Sequence, residues 1–448
     1  MFKRVLIANR GEIAIRIIRA CQELGIETVA VYSEADREAL HTRMADKAVC
    51  IGPAAAHASY LHIPSLLAAA RMSGADAIHP GYGFLAENAY FAEMCALNGI
   101  TFIGPAPEAM RLLGAKATAR ETMLAAGVPV VPGSPGVVKD LDAALAIARE
   151  IGYPVLIKAT AGGGGRGMRV AESHRDLRQA FLAAQREAAA AFGDSLVYLE
   201  KYIEAPRHIE FQIFGDGYGN IIHLGERDCS LQRRNQKILE EAPSVALTPR
   251  LRAEMGQVAL KVARHANYYS AGTVEFLLDS DGHYYFMEMN TRIQVEHPVT
   301  EAVTGIDLVQ EQIKVAAGEP LSFSQEDVQL RGHAIECRIN AEDPANNFQP
   351  APGRIEHYHA PGGFGVRVES AVYSGYVIPA EYDSLLAKVI IWAPSRAEAI
   401  NRMARALAEM KIEGVPTTIP FHRQIMGNAY YQRGEIYTNF IQQRLLAG

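Results

Sequence analysis

Five short apolar runs recur through the first hundred residues: Val5-Leu-Ile-Ala8, Thr28-Val-Ala-Val-Tyr32, Ala48-Val-Cys-Ile51, Ala75-Asp-Ala-Ile78 and Ile100-Thr-Phe-Ile103. Helical patterns lie between several of them, and strands alternating with helices close into a doubly wound parallel sheet. In the first helix Ile13, Ile17, Cys21 and Leu24 recur at helical spacing, and Gly25 stands where a C-terminal cap belongs. The loop Asn9-Arg10-Gly11-Glu12 then falls at the carboxyl end of the first strand, where such sheets bind ligands. It lacks the GxGxxG fingerprint of dinucleotide binding.

The chain has 448 residues, more than one hydrophobic core holds at about 150 residues per domain, so two or three domains with clefts between them are expected. A net charge of -6 supplies no basic field for nucleic acid. The five cysteines are scattered without zinc-site spacing and read as reduced thiols. The apolar run Val5 to Ala8 is too short for a signal peptide, and no uncharged stretch reaches the ~18 residues of a membrane span; a soluble, cytoplasmic protein without membrane or nucleic-acid partners is expected.

A boundary falls at Pro129-Val-Val-Pro132-Gly-Ser-Pro135-Gly136, where three prolines and two glycines interrupt any helix or central strand. Beyond it the apolar strand Val155-Leu-Ile157 runs into Lys158-Ala-Thr-Ala-Gly162-Gly-Gly-Gly165-Arg166-Gly167-Met168, with five glycines in six positions. Backbone without Cβ closes on a polyanion, and Lys158 and Arg166 flank the loop with positive charge, which suits triphosphate. The plainer alternative is a surface linker. With the alanine-rich helix near Asp176–Phe192 and the strand Leu196–Leu199, the loop forms a small lid. A last segment of mostly β pattern with a C-terminal helix follows Gly332.

Thr273-Val-Glu275-Phe-Leu-Leu278 and Tyr284-Tyr-Phe-Met-Glu288-Met-Asn290 surround Asp281-Gly282, a hairpin-turn signal. A two-residue turn sets Ser280 against His283 and therefore Glu275 against Glu288, with Asn290 on the same face; one residue more in the turn shifts this register. Facing carboxylates need a cation, and hard oxygen ligands favour magnesium or manganese, unless the pair is simply solvated. Next, Asn290-Thr-Arg292-Ile-Gln294-Val-Glu296-His297-Pro298 places a cation, an amide and a carboxylate at alternate positions, on one face if the chain is extended. The arginine forks onto a small planar anion such as bicarbonate and the glutamate removes its proton, or the two form a structural ion pair. Lys237 and Gln232-Arg233-Arg234 add positive charge, or a solvated basic face.

Taken together, the chain resembles the biotin carboxylases, the ATP-grasp subunits of biotin-dependent carboxylases such as acetyl-CoA carboxylase. Ile7-Ala-Asn-Arg-Gly-Glu-Ile-Ala14, His79-Pro-Gly-Tyr-Gly-Phe84, Gly162 to Met168, Glu226-Arg-Asp-Cys-Ser230, Glu288 to Pro298 and Glu336-Cys-Arg-Ile-Asn-Ala-Glu-Asp343 match the family's blocks in order and spacing. The resemblance implies an α/β doubly wound N-terminal domain at 1–113, an α+β ATP-grasp fold at 114–318 with a mobile lid at 131–202, and a mostly β C-terminal domain at 332–445. It makes Lys116 and Lys158 phosphate contacts, with Gly164 and Gly165 in the lid loop. Adenine and ribose would meet Glu200, Lys201, Tyr202, Ile203, His208, Gln232 and Asn235. Glu275, Glu288 and Asn290 would hold two magnesium or manganese ions. Lys237, Arg292, Gln294 and Val295 would bind bicarbonate, Glu296 would be its base, Arg338 would stabilise the enolate of biotin, and Tyr82 and Gly83 would line the biotin site.

The implied reaction phosphorylates bicarbonate with ATP to carboxyphosphate, which gives carbon dioxide and phosphate; phosphate then takes the N1 proton of biotin, and biotin attacks carbon dioxide. Asn235 stands where the family usually has histidine, and Ala161 where the first of five loop glycines is common. No Ala-Met-Lys-Met biotin-attachment sequence is present; Met410-Lys411-Ile412 ends a helical pattern, Ala397–Met410. Biotin is therefore expected on a separate carrier protein, with carboxyltransferase subunits as further partners and fatty acid biosynthesis as one setting. A homodimer through Arg16, Arg19, Glu23, Phe364 and Arg367 is also implied. Two other readings stand beside this one: a different ATP-grasp ligase joining a carboxylate to an amine, and an ATP-sensing subunit without turnover.

Overall fold

The computed structural model describes residues 1–114, 116–159, 168–193 and 195–446, with backbone alone for residues 116, 117, 191 and 192. Most of the glycine-rich loop, including Gly164, Gly165, Ala161 and Arg166, and the side chain of Lys116 lie outside the described residues.

The N-terminal sheet is parallel, in the order Lys47–Gly52, Glu27–Ser33, Arg4–Ile7, Ala77–His79, Thr101–Phe102. The helix Gly11–Glu23 follows the first strand and buries Ile13, Ile17 and Cys21 at 2% exposure or less, while Gly25, at φ +71°, reverses the chain after Leu24. Strand order reverses between the first strand and its neighbours, so the crevice belongs beyond their carboxyl ends. There the Asn9 amide donates to the carbonyls of Pro80 and Tyr82 at 2.6 and 2.7 Å, fixing the loop that carries Tyr82.

Residues of the expected lid form an antiparallel sheet of Met168–Ala171, Val155–Ala159 and Val197–Lys201 under the helices Leu141–Ile151 and His174–Phe192. Val155, Ile157, Leu177, Phe181 and Leu199 are all buried there. At about 1.5–3 kcal/mol per buried side chain, the unit carries its own core. The proline-rich segment crosses from this sheet to the next: the Phe286 amide donates to Pro129 at 2.7 Å, and the Lys201 amide to Pro132 at 2.7 Å.

The central sheet runs Tyr284–Asn290, Ser270–Leu278, Arg207–Gly215, Ile221–Arg233, Gln236–Ala242, His333–Asn340, Leu385–Ala393, Val366–Ser370. The C-terminal strands thus extend the same sheet that carries the candidate metal hairpin, which sets Arg338 beside Glu240 and Glu296. The helical run expected over Ala397–Met410 is the helix Arg396–Glu409 with Met410 as its C-cap, and Lys411–Glu413 continues as a short strand paired with His357–His359. All five cysteines are free thiols, four of them buried.

Candidate functional site

A cleft of about 960 Å³ lies between the small sheet, which contributes Lys158 and Glu200, and the central sheet, which contributes Lys237, Glu275, Glu288 and Arg338. Glu275 and Glu288 do face each other, by a route the sequence did not show. The strands pair Leu278 with Tyr284 and Phe276 with Phe286, so the turn spans Ser280–Gly282 and is one residue longer than a two-residue hairpin; Ser280 does not face His283. A bulge at Met287 absorbs the extra residue and restores the Glu275–Glu288 pair and the position of Asn290.

The expectation of an extended run beyond Asn290 is corrected. The strand ends at Asn290, the chain turns through residues 291–296, and a helix begins at His297 with Pro298 in its first turn, where proline's missing N–H costs nothing. Turning brings Gln294 and Glu296 inward and leaves Arg292 at the rim. Arg292 pairs with Glu87 at 3.0 Å and donates to the Asn290 side-chain oxygen at 3.1 Å, while the Thr291 amide donates to Glu87 at 2.9 Å.

Lys237 is the hub. Its ammonium lies 2.5 Å from Glu210, 2.8 Å from Glu275 and 2.8 Å from Glu296, joining the candidate metal ligand to the candidate base. Burial works against the ammonium, but the three carboxylates raise its pKa well above the ordinary value. Burial alone would raise the Glu296 carboxyl; Lys237, helped by Arg338 and Arg227, holds it down at about 2. Glu275 also accepts from Asn290 at 2.9 Å, from Gln294 at 3.0 Å, and lies 3.2 Å from His208. Burial lowers the basicity of His208, yet Glu275 outweighs it and lifts the imidazole to about 9. Gln232 packs against the other ring nitrogen at 3.1 Å.

Arg338 bridges Glu240 and Glu296, the latter at 2.9 Å. Glu240 sits opposite Glu336 on the neighbouring strand, and burial pushes Glu240 up to about 7 in spite of Arg338. Burial drives Glu336 well above the usual carboxylate range as well. The pair behind Arg338 thus resists carrying two negative charges.

The candidate nucleotide residues divide. Glu200 contacts Lys158 on the neighbouring strand, and both line the cleft with Tyr202, Ile203, Gln232 and Asn235. The Lys201 ammonium is instead committed to the carbonyls of Gly152 and Tyr153, at 3.2 and 2.7 Å. Arg234 and Asn235, at φ +51° and +63°, form a two-residue turn between Arg233 and Gln236. Asparagine tolerates that left-handed backbone. Tyr82 and Gly83 do not line this cleft; the Tyr82 hydroxyl donates to Glu12.

Three side chains that hold the candidate site together were given no role from the sequence. Glu210 holds both Lys237 and, at 2.5 Å, the fully buried Arg227. Arg227 in turn donates to the Gln294 side chain at 2.8 Å, and Glu87 anchors Arg292. The alternation His208-x-Glu210-x-Gln212, polar on one face of an otherwise apolar strand, was the available signal for Glu210. Nothing in the local sequence singles out Glu87.

Comparison with known proteins finds similarity along nearly the whole chain. Residues 1–110 match the family model for the biotin carboxylase N-terminal domain, residues 115–324 that for the carbamoyl-phosphate synthase L chain ATP-binding domain, and residues 336–443 that for the biotin carboxylase C-terminal domain. The chain is 63% identical to a biotin carboxylase of Nostoc sp., with 99% of each chain covered, and 60% identical to biotin carboxylase 1 of Bacillus subtilis, covering 99% and 98%. Among solved structures it is similar to a biotin carboxylase complex from Campylobacter jejuni, at a TM-score of 0.95, 51% identity and 99% coverage of both chains. It is also similar in fold to the biotin carboxylase domain dimer of Hydrogenobacter thermophilus 2-oxoglutarate carboxylase, in complex with MgADP, ADP and bicarbonate. The TM-score there is 0.94, with 55% identity and 99% and 98% of the chains covered.

Proposed function

Because the chain belongs to the biotin carboxylase family, we infer that it carries out the ATP-dependent carboxylation of biotin with bicarbonate, as an ATP-grasp ligase. The observation that carries the residue-level reading is Lys237, one ammonium holding the candidate base Glu296 and the candidate metal ligand Glu275 in the same cleft. The oxygen donors Glu275, Glu288 and Asn290 fit magnesium or manganese, since Glu275 and Glu288 face each other across the two strands and hard oxygen ligands suit such ions. When bound, two such ions would neutralise the phosphate oxygens during transfer.

The chain's own residues divide the work. Lys158 with Lys116, and the glycine loop with Gly164 and Gly165, would hold the phosphates; Glu200, the Lys201 backbone, Tyr202, Ile203, His208, Gln232 and Asn235 would surround the nucleoside. Lys237, Arg292, Gln294 and the Val295 amide would hold bicarbonate. Glu296 is a weak base while Lys237 lies against it, so base action requires the ammonium to turn toward the incoming anion. A bicarbonate oxygen then forms the bond to the γ-phosphorus as ADP leaves and the proton passes to Glu296. The resulting carboxyphosphate breaks at its C–O bond into carbon dioxide and phosphate. Phosphate takes the N1 proton of biotin, which would border Tyr82 and Gly83 beyond the lining of the nucleotide cleft, and Arg338 would stabilise the negative ureido oxygen while nitrogen attacks carbon dioxide.

Biotin would arrive on a separate carrier protein, and carboxyltransferase subunits would use the product, in the cytoplasm; no helix of the described residues is long and apolar enough to cross a membrane. A homodimer would form through Arg16, Arg19, Glu23 and Arg367, which line one surface pocket, and through the 79%-exposed Phe364. Domain limits of 1–113, 114–318 with the lid 131–202, and 332–445 suit these roles. Oxygen-18-labelled bicarbonate tests the route: the label should enter the released phosphate, and turnover should require bicarbonate. Bicarbonate-independent phosphate release, or unlabelled phosphate, refutes it. An amine-dependent ligase would release unlabelled phosphate without needing bicarbonate, and a non-hydrolysing sensor would release none.

A further inference from the structure

Lys388 is fully buried, at 0% exposure, in the strand Leu385–Ala393, and none of the roles above uses it. Its ammonium donates to the Val295 carbonyl at 2.8 Å, one peptide before Glu296. On the other side it lies 3.2 Å from the Glu12 carboxylate, which comes from the first helix of the N-terminal sheet. The other Glu12 oxygen accepts the Tyr82 hydroxyl, and the Tyr82 ring centroid lies 6.0 Å from the ammonium. In the sheet Lys388 pairs with Arg338 on one neighbour and Glu369 on the other, so it stands beside the candidate enolate-stabilising arginine. Three separate stretches of chain therefore meet at one amine.

Resting on the functional reading above, we propose that Lys388 is a positioning residue that sets the bicarbonate-bearing turn and the biotin-facing tyrosine in one register. Its two directed bonds do this: Val295 carries the amide assigned to bicarbonate and precedes the base, while Glu12 aims Tyr82. A bare need to fill space does not account for an ammonium here, because an apolar side chain of similar length fills the same volume without desolvating a charge. The turn at 291–296 has no strand ladder to hold it; the His297 amide bonds the Gln294 carbonyl at 3.2 Å, and the Lys388 ammonium supplies the bond to the Val295 carbonyl, in the peptide that joins Glu296.

The test uses the full chain and three variants, Lys388→Met, Glu12→Gln and the double variant, with steady-state kinetics and thermal midpoints measured together. Lys388→Met should raise the KM for bicarbonate in biotin-free ATP cleavage by about tenfold or more, with the KM for ATP changed less than about twofold. Glu12→Gln should raise the KM for biotin more than that for bicarbonate. The double variant removes both buried charges and should recover thermal stability while keeping the raised bicarbonate KM, because Val295 still lacks its donor. Recovery of a normal bicarbonate KM in the double variant, or a normal KM in Lys388→Met, overturns the proposal and leaves a structural ion pair. If Lys388→Met does not fold, the double variant decides alone. Absence of bicarbonate-dependent phosphate release from the unmutated enzyme is a different failure: it removes the functional reading and this inference with it.

Discussion

Replacing Lys237 by methionine keeps the side-chain length and deletes the one charge that three buried carboxylates share. At an effective dielectric constant of about 20, each contact near 2.8 Å amounts to about 6 kcal/mol of gross attraction. Desolvation of the ammonium offsets much of that gain. Without it, Glu210, Glu275 and Glu296 repel one another at 0 to 4% exposure. Each can escape by binding a proton, which at about pH 8 costs about 5 kcal/mol for a carboxyl of ordinary pKa, at about 1.4 kcal/mol per unit. That sets a ceiling, and the usual cost of breaking a buried pair, about 3–5 kcal/mol, lies just beneath it. The sign with pH follows. In the variant the folded state holds a proton that the unfolded state releases, so its stability falls as pH rises; the gap to wild type narrows toward about pH 6 by about 1.4 kcal/mol per unit. The single tryptophan, Trp392, lies in the central sheet and reports its unfolding in urea. Bicarbonate-dependent phosphate release should drop by about 10- to 100-fold, the scale of a charge-assisted hydrogen bond. A stability gap below about 1 kcal/mol, or one that does not change with pH, refutes the hub reading.

Glu288→Gln should lose most ATP turnover with urea stability little changed, because one ligand charge disappears from the candidate metal pair; an unchanged rate at saturating magnesium contradicts the site. Asn235→His should fold and change ATP affinity by no more than about tenfold, since histidine also tolerates the left-handed turn; unfolding or loss of catalysis shows that the pocket depends on asparagine. His422 lies 2.7 Å from the Arg338 carbonyl, and burial holds its imidazole down at about 4. Its neutral form is favoured in the fold, so its contribution is complete above about pH 6.5 and is lost as pH falls toward 4. Between about pH 7 and 5 the stability advantage over His422→Gln should shrink by about 2 kcal/mol; a constant difference contradicts the burial argument.

The N-terminal sheet could be read from sequence because each strand is a contiguous apolar run, and the first helix because Ile13, Ile17 and Cys21 mark its buried face. The pairing of Glu275 with Glu288 was read correctly through compensating departures: a longer turn, which periodicity does not register, and a bulge at Met287, which no local pattern announces. The inward turn of Gln294 and Glu296 was hidden because alternation looks the same whether the chain continues as a strand or folds into a helix; Pro298, favoured in a first helical turn, was the available hint. Glu210 was hinted at by polar alternation on its strand. Glu87 and Lys388 were not accessible, since their partners lie 205 and 93 residues away in sequence and only the tertiary fold brings them together.

The division of labour between Glu296 and Arg338 is tested most directly by Arg338→Ala, with phosphate release and carboxybiotin formation followed side by side. Arg338 shares Glu296 with Lys237, so its loss leaves the candidate base one of its two ion-pair partners, and biotin-free, bicarbonate-dependent ATP cleavage should survive with a modest reduction. Carboxybiotin formation should fall by a further factor of about 10² or more, because the developing ureido oxyanion loses its stabilising donor. Equal losses in both reactions would place Arg338 in bicarbonate binding or local packing and contradict the two-stage assignment.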